Sequence, residues 1–437
     1  MSKKSSLLYS NDIAVEYPDS YYAATAPLLG RQPQLTGVVT CDVCIVGAGF
    51  TGLSAALTLA EKGYDVIVLD AHRVGWGASG RNGGQLASGQ RVEQDALEKM
   101  VGLDDARKLW DLGQDAKSLI KKRIADHSIN CDLKPGLLYT DHKPGYVEDS
   151  KAYAEKLQRD YDYQDVRFVD CEEVREMVGT EAFYGGNLMS GSYHLHPLKL
   201  VVGMARAALA AGVRIFEESP VDDLTYKPSP VVTTEQGQVK AKSLVLACNG
   251  YLGKLDKRVA ARVMPINNFV IATEPLSEDL AKELIRDDVG VADSRFVVNY
   301  YRLSADRRMV FGGGESYGYK FPKDIKSYVR KRMIEIYPQL VDTKIDYGWG
   351  GTLGITVNRL PHLEQLAPTA WSASGYSGSG VGMANLCGHL VAEAIDHNLS
   401  KFELVSKVPS PMFPGGAALR WPILVLAMLY FSTRDKI

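Results

Sequence analysis

The sequence lacks several features that would assign the chain to a specialised class of protein. It has 437 residues and a formal net charge of −2, so no charge excess indicates a nucleic-acid partner. Six cysteines are spread through the chain, which fits a reducing compartment better than a disulfide framework. No histidine cluster has zinc spacing, so we expect no metal site. No internal repeat or low-complexity tract is visible.

The sequence also lacks a hydrophobic run of bilayer length. The N-terminus, MSKKSSLLYSND, has positive residues but no apolar core, so we expect a cytoplasmic rather than a secreted protein. The most apolar run, RWPILVLAMLYF at 420–431, is shorter than the about 20 residues that a spanning helix needs. We interpret it as a helix docked on the protein, with contact to a membrane surface as the alternative. A chain that is 46% hydrophobic can bury a sizeable core in about two or three domains.

Residues 41–70 form one unbroken unit of strand, glycine turn, helix and strand. Val43 to Val46 read as a buried strand, and Gly47, Gly49 and Gly52 follow at once. Such glycines permit a tight turn, close approach of a pyrophosphate and close packing of the helix. The free N–H groups of the helix N-terminus favour the phosphates. Asp70 ends the second strand, where a carboxylate accepts hydrogen bonds from ribose hydroxyls. The unit predicts a dinucleotide, either NAD or FAD.

Two further glycine clusters favour FAD. GWGASGRNGGQ at 75–85 is too rich in Gly, Ser and Asn for a crossover helix. GYSGSGVG at 375–382 follows a short apolar segment and precedes a helix-like stretch at 383–395. Between them an apolar strand, 244–247, runs into Cys248, Asn249 and Gly250, an element that resembles the strand-ATG segment of flavoproteins with two dinucleotide folds. Three glycine clusters suit FAD better than NAD, because FAD is the longer cofactor.

On these motifs, with YYRLSADRRMVFGGG at 300–314 and NRLP at 358–361, the chain resembles the D-amino-acid oxidase and sarcosine oxidase superfamily. Within it the resemblance is strongest to gamma-glutamylputrescine oxidases. It implies hydride transfer from the carbon beside an amine nitrogen to flavin N5, hydrolysis of the imine to an aldehyde and ammonia, and oxygen reduced to hydrogen peroxide. The partners implied are a small amine, gamma-glutamylputrescine or a related gamma-glutamyl polyamine, and an electron acceptor.

Two departures from the sarcosine oxidase pattern refine these expectations. Residues 354–363 contain no cysteine where those enzymes attach FAD, so we expect noncovalent FAD. Gly382 stands where they place a carboxylate-binding lysine, so a small N-methyl amino acid is a poor substrate candidate. The helix after the last cluster is expected to stabilise negative charge near flavin N1 and C2 oxygen.

The cofactor-binding residues expected from the motifs, and by family position from the resemblance, span the whole chain. They are Gly47, Gly49, Phe50, Thr51, Gly52, Asp70, Ala71, Ala78, Ser79, Gly80, Arg81, Asn82, Gly83, Gly84, Gln85, Val221, Cys248, Asn249, Gly250, Gly375, Ser377, Gly378, Ser379, Gly380, Val381 and Gly382. The resemblance alone assigns Val221 to the adenine, and Arg81 and Asn82 to the isoalloxazine.

Candidate substrate residues come from the YYRLS segment. Arg302 is the candidate for the distal carboxylate of a gamma-glutamyl amine, because a guanidinium can hold a carboxylate bidentately. A salt bridge beside a strand is the competing interpretation. Tyr300 and Tyr301 are candidates for the wall of the substrate pocket, although one of two adjacent strand residues must face away. No residue is identified as a general base.

The predicted fold is α/β, or α+β overall: a two-dinucleotide-binding-fold, Rossmann-like FAD domain with a discontinuous, sheet-rich substrate domain. We expect an aperiodic surface segment at 1–36, and the FAD domain at 37–90, 190–250 and 346–400. The substrate domain is assigned to 91–189 and 251–345, with strands at 269–273, 296–301 and 309–312. A tail at 401–437 carries the apolar helix. Helices are expected at 92–126, leaving the FAD domain, and near 198–211.

Two other functions stay open at this point. One is an FAD dehydrogenase that acts on another amine or a D-amino acid and passes electrons to a quinone. The other is a flavin-bearing maturation partner of a second protein, against which the lack of an interaction segment argues.

Overall fold

The computed structural model describes residues 7–13, 15–316 and 318–416. The strands of these residues are β1 (Gly37–Val46), β2 (Val66–Leu69), β3 (Gln85–Leu86), β4 (Lys134–Thr140), β5 (Val166–Val169), β6 (Gly186–His194), β7 (Arg214–Phe216), β8 (Val221–Thr225), β9 (Val231–Thr234), β10 (Gly237–Leu246), β11 (Met264–Thr273), β12 (Gly290–Asp293), β13 (Tyr300–Leu303), β14 (Met309–Ser316), β15 (Ile345–Ile355), β16 (His362–Ala367) and β17 (Ala370–Ser374). Their α-helices are α1 (Tyr21–Thr25), α2 (Phe50–Glu61), α3 (Gln94–Val101), α4 (Leu103–Asp126), α5 (Val147–Tyr161), α6 (Cys171–Val178), α7 (Pro197–Ala210), α8 (Lys257–Ala260), α9 (Glu278–Leu284), α10 (Ile325–Ile336), α11 (Gly380–Ile395) and α12 (Ser400–Ser406).

The first sheet is built around β1, whose inner residues are buried on both faces. β2 and β10 flank β1 and run parallel to it, so Val43 lies between Val66 and Ser243. The strand order is β16-β17-β10-β1-β2-β7, and β9 extends the sheet from β10 and pairs with β8. The strands predicted at 43–46 and 66–69 are confirmed, and the mixed α/β architecture agrees with the fold class inferred from the sequence.

Helices α2, α7, α11 and α4 pack together beside this sheet. A Cβ added at Gly388 of α11 would lie 2.1 Å from the Thr51 oxygen of α2, so the two helices cross at a glycine contact. The helix expected at 92–126 is two helices, because Gly102 adopts a φ of 84° between α3 and α4. This segment was expected to lead away from the FAD domain. Instead α4 stays beside the first sheet, because its apolar face packs against α11.

The second sheet, in the order β15-β11-β14-β13-β12-β4-β6-β3 with β5 beside β6, is largely antiparallel, and β12 runs parallel to β4. β15 pairs with β11 from Ile355 opposite Met264 to Ile345 opposite Thr273. Residues 346–355 therefore lie in this sheet and not, as expected, with the FAD domain. Their GWGGTLG sequence lacks the apolar alternation that would have marked them as a strand.

The strand expected at 296–301 begins late, at Tyr300. The preceding loop is held by Asp293, whose Oδ1 accepts a hydrogen bond from the Asn299 backbone N–H at 2.9 Å and whose Oδ2 accepts one from Asn299 Nδ2 at 2.8 Å. These bonds replace ladder hydrogen bonds in the loop. The strands expected at 269–273 and 309–312 are present as parts of β11 and β14.

The N-terminal segment is not only a surface segment, contrary to expectation. Ser20 caps α1 by accepting a hydrogen bond from the Ala23 backbone N–H, and Tyr21 and Tyr22 are buried. The Tyr22 ring lies 5.0 Å from that of Trp349, centroid to centroid. Burial of two aromatic rings outweighs the absence of any periodic pattern in this segment.

The apolar run at 420–431 lies outside the described residues. Among the helices of residues 7–416 that the structure describes, none combines the length and apolar character needed to cross a bilayer.

Candidate functional site

A cavity of about 1130 Å³ lies between the two sheets. Ordinary ligand pockets occupy about 300–1,000 Å³, so there is room for a dinucleotide together with a small substrate. All three glycine clusters contribute to its wall, and so do β8, the segment that follows β10 and strands β13 to β15 of the second sheet. The cavity thus connects segments that are far apart in sequence.

The first glycine turn sits at the end of β1. A Cβ added at Gly47, whose φ is 112°, would lie 2.7 Å from the Ala247 oxygen, and one added at Gly49 would lie 2.8 Å from Ser79 Oγ. A Cβ at Gly52 would lie 1.8 Å from the Gly47 oxygen. These contacts leave no space for side chains and bring the N-terminus of α2 to the cavity. The arrangement suits a pyrophosphate.

Asp70 lines the cavity beyond β2. Its Oδ2 accepts a hydrogen bond from the Ala48 backbone N–H at 2.7 Å, and its Oδ1 accepts one from the His72 N–H at 2.9 Å. Burial raises the pKa of this carboxyl to about 6, although hydrogen bonds from the backbone N–H groups of His72, Ala48 and Ala71 oppose that rise. A carboxylate has about four acceptor sites, so it can still accept a hydrogen bond from a ribose hydroxyl. The fixed position of the carboxylate supports the role expected from the sequence.

The second cluster is held by its own polar side chains. Arg81 is 2% exposed and donates from Nε to the Trp76 oxygen at 2.6 Å and from Nη1 to Asp12 at 2.7 Å. Its Nη2 is a buried donor without a partner among the described residues. Asn82 donates to the Ala78 oxygen at 3.0 Å. The loop therefore has a fixed conformation and presents Arg81, with one free donor, to the cavity.

The third cluster joins β17 to α11. The helix begins at Gly380, three residues before the start expected at Met383, because Gly380 to Gly382 already adopt helical geometry. No side chain caps its first turn, and no acidic residue lies there. Since Ser379, Gly380 and Val381 line the cavity, the free N–H groups and the positive end of the helix dipole lie against it.

The segment that follows β10 connects the first and third clusters. Asn249 accepts a hydrogen bond from the Gly375 backbone N–H through Oδ1 at 2.9 Å. Cys248 Sγ donates to the Val46 oxygen at 3.4 Å, and burial raises the pKa of this thiol to about 12. Gly250 approaches β15 closely, since a Cβ there would lie 2.9 Å from the Leu353 oxygen. Burial therefore disfavours the thiolate form that a reaction at Cys248 would need.

The structure brings most of the expected cofactor residues to one cavity. Those that line it are Gly47, Gly49, Phe50, Thr51, Asp70, Ala71, Ala78, Ser79, Arg81, Asn82, Gly83, Gln85, Val221, Cys248, Asn249, Gly250, Ser377, Gly378, Ser379, Gly380 and Val381. Those that lie beside it and pack against the protein instead are Gly52, Gly80, Gly84, Gly375 and Gly382.

The three substrate candidates of the YYRLS segment take different positions. Tyr300 lines the cavity and donates its hydroxyl hydrogen to Asn268 Oδ1. Tyr301 points to the other face of the sheet, where its ring stacks on Phe311 with centroids 5.2 Å apart. This alternation is the one expected for adjacent strand residues.

Arg302 does not line the cavity. It is 3% exposed, and its nitrogens donate to the Gly83 oxygen at 3.0 Å, the Leu303 oxygen at 3.2 Å and the Tyr22 hydroxyl at 3.3 Å. All three guanidinium nitrogens thus bind protein groups. Arg302 therefore supports the second glycine cluster and does not reach a ligand in the cavity.

Several polar residues of the cavity were not identified from the sequence. Arg91, Asn268, Arg295, Glu315 and Arg359 all line it. Two sequence signals could have found part of this set: Glu315 is a charge directly after the strand residues FGGG, and Arg359 belongs to the NRLP motif.

Comparison with known proteins extends over nearly the whole chain. Residues 42–394 match the family model described as DAO, FAD dependent oxidoreductase. The chain is 39% identical over 423 residues to gamma-glutamylputrescine oxidoreductase of Escherichia coli (strain K12), covering 97% of this chain and 99% of that protein. It is 39% identical over 418 residues to a probable oxidoreductase, OrdL, of Rhizobium meliloti (strain 1021), covering 95% and 97%. A crystal structure of glycine oxidase from Geobacillus kaustophilus aligns with a TM-score of 0.72 at 20% identity, covering 85% and 99%, and shows a shared fold.

FAD is the cofactor that this family uses, and the residues of the cavity fit it. The glycine contacts exclude side chains where the pyrophosphate needs space. The unpartnered Arg81 Nη2 is a buried donor that FAD, with its many acceptor atoms, could satisfy. The family match therefore confirms the prediction, made from three glycine clusters, that the cofactor is FAD.

Proposed function

We propose, on the premise that this chain belongs to the family of FAD-dependent oxidoreductases, that it oxidises the terminal amine of gamma-glutamylputrescine or a related gamma-glutamyl polyamine. The observation that carries this proposal is the 39% identity to gamma-glutamylputrescine oxidoreductase over 97% of the chain. The size of the cavity supports it, because it can hold an extended substrate beside the cofactor.

When bound, FAD supplies the acceptor for a hydride from the carbon beside the amine nitrogen, and water then converts the imine to an aldehyde and ammonia. The protein supplies position and electrostatic field. Tyr300, fixed by its bond to Asn268, forms a rigid part of the substrate wall. The free N–H groups of α11 favour negative charge on the group that lies against them.

The FAD is proposed to be noncovalent. Residues 354–363 contain no cysteine, and the cavity-lining Cys248 is a poor nucleophile because burial raises its pKa to about 12. Acid precipitation should release all of the flavin into the supernatant. Flavin that stays with the precipitate would refute this part of the proposal.

The substrate is tested by anaerobic bleaching of the bound flavin. Gamma-glutamylputrescine should reduce the flavin with a second-order rate constant at least about tenfold above that for putrescine, because one additional charged contact is worth about 1.5–3 kcal/mol. N-butanoylputrescine is the matched control, since it has the amide and the reacting amine without the amino acid group. Equal reduction by all three amines, or reduction by D-amino acids alone, would contradict the proposal.

The electron acceptor is proposed to be oxygen, with formation of hydrogen peroxide. Peroxide released in proportion to the amine consumed would support an oxidase. Turnover with a quinone or a redox dye but without peroxide would identify a dehydrogenase instead.

A further inference from the structure

We propose that Glu315, Arg359 and Arg91 bind the free α-amino acid group of the substrate, with Glu315 on the ammonium and the two arginines on the carboxylate. This inference rests on the proposed function, because a gamma-glutamyl amine carries both charges at the end remote from the reacting amine. All three side chains line the same cavity.

Arg91 and Arg359 are assigned to the substrate carboxylate because they differ from the other arginines of the cavity in having no carboxylate partner among the residues that the structure describes. Four arginines line the cavity. Arg81 forms a salt bridge with Asp12 at 2.7 Å, and Arg295 pairs with Asp293. Within the described part of the chain, no carboxylate oxygen lies within 4.0 Å of the guanidinium nitrogens of the other two, Arg91 and Arg359. Their charges are therefore available to an anionic ligand.

Glu315 is assigned to the substrate ammonium by the same comparison, made among the acidic side chains that line the cavity. Asp70 already accepts two backbone hydrogen bonds, and Asp293 is bound to Asn299 and Arg295. Asp222 and Asp223 belong to β8, beside Val221 at the part of the cavity assigned to adenine. Glu315 is different: its carboxylate has no hydrogen bond or ion pair with any other residue that the structure describes.

The three charges interact without neutralising one another. Burial raises the pKa of Glu315, and the charges of Arg359, Arg332 and Arg91 oppose this rise. Burial lowers the pKa of Arg359, and the charge of Glu315 opposes that change. The groups thus lie within electrostatic range but form no direct ion pair. Glu315 and Arg359 lose hydration without a hydrogen-bonded side-chain partner in the described part of the chain, whereas Arg91 is exposed and bonds there only to a backbone oxygen.

A zwitterionic amino acid satisfies this arrangement. Its ammonium and carboxylate are attached to one carbon, so it needs an anionic and a cationic group that are close together but not bonded to each other. A guanidinium can hold the carboxylate through two parallel hydrogen bonds. Arg91 is oriented for this role by its Nε, which donates to the Ser377 oxygen at 3.3 Å.

Three substrates separate the two charges. Gamma-glutamylputrescine carries both, N-glutarylputrescine carries only the carboxylate, and N-butanoylputrescine carries neither. Glu315→Gln should raise KM about 10- to 100-fold for the first substrate and less than about twofold for the other two. Arg359→Gln and Arg91→Gln should raise KM by a similar factor for the first and second substrates and leave the third unchanged.

Arg332→Gln is the control, because Arg332 acts on the charge of Glu315 but does not line the cavity. It should leave the ratios of KM among the three substrates unchanged. FAD content and Tm, measured for every variant, show that the fold is retained. As a second readout, calorimetry with gamma-glutamylbutylamide, which has no reacting amine, should show weaker binding in Glu315→Gln.

The outcomes distinguish this inference from the proposed function. If the wild type fails to reduce its flavin with gamma-glutamylputrescine, both are refuted. If the wild type prefers gamma-glutamylputrescine but Glu315→Gln changes KM equally for all three substrates, or lowers kcat for all of them, only the inference is overturned, and Glu315 acts elsewhere in the reaction.

Discussion

Gly52→Ala should weaken FAD binding by moving the first glycine turn. The added Cβ would lie 1.8 Å from the Gly47 oxygen and 3.2 Å from Ile45 Cγ2, where ordinary contact begins at 3.4 Å. The clash with Gly47 involves backbone, so no flexible side chain can relieve it, and the turn or the start of α2 must shift by more than an ångström. Over-packing of this kind costs about 1–3 kcal/mol, which corresponds to about 5- to 150-fold weaker FAD binding if the bound turn carries the full cost.

The assay is titration of the apoprotein with FAD, followed by quenching of flavin fluorescence. Gly30→Ala is the matched control, because an added Cβ there meets nothing within 4 Å, and it should bind FAD like the wild type. Unfolding by denaturant shows whether the variant is folded before titration. A folded Gly52→Ala variant that binds FAD within twofold of the wild type would refute the argument that this contact positions the turn.

Three other predictions concern side chains of the cavity and its support. Arg302→Lys should lower Tm and weaken FAD binding, because the bond to the Gly83 oxygen is lost, and should change KM equally for gamma-glutamyl and simple amines; a selective rise for gamma-glutamyl amines would restore Arg302 as a carboxylate ligand. Asp70 has its pKa raised to about 6 when folded, so it stabilises the apoprotein below pH about 4, and this contribution is lost as pH rises through 6. Relative to Asp70→Asn, the wild-type free energy of unfolding should therefore fall by about 2–3 kcal/mol between pH 4 and 7, and a parallel pH dependence of the two proteins would count against it. Tyr300→Phe should raise KM severalfold while Tyr301→Phe leaves it unchanged, since only Tyr300 lines the cavity; equal effects in steady-state kinetics would contradict this assignment.

The assignment of the distal carboxylate shows where sequence reasoning reaches its limit. Arg302 is the candidate that the sequence offers, because a guanidinium can hold a carboxylate bidentately. The side chains of Tyr300 and Arg302 lie on the same side of β13, yet only Tyr300 reaches the cavity. Arg302 is intercepted by the oxygen of Gly83 and the hydroxyl of Tyr22. No local pattern contains that information, because its partners come from two other segments.

The cofactor was predictable because its recognition is local. A glycine turn between a buried strand and a helix is one continuous segment whose residue spacing can be recognised in the sequence. The contact between Gly52 and the Gly47 oxygen lies within the turn, whereas the contacts of Gly47 with Ala247 and of Gly49 with Ser79 come from the tertiary structure. The third glycine cluster and the helix after it were predictable for the same reason. Only the start of that helix differs, since α11 begins at Gly380, three residues before Met383.

The sequence by itself determined the cofactor class, the α/β fold and the family, because these depend on short motifs and on hydrophobic periodicity. The tertiary structure decided which charges face the cavity. It turned Arg302 away from the cavity, placed β15 in the second sheet and brought Arg91, Glu315 and Arg359 from distant segments to one cavity. The physical reason is that a side chain's availability to a ligand depends on the partners that packing leaves it, and those partners are set by the whole fold.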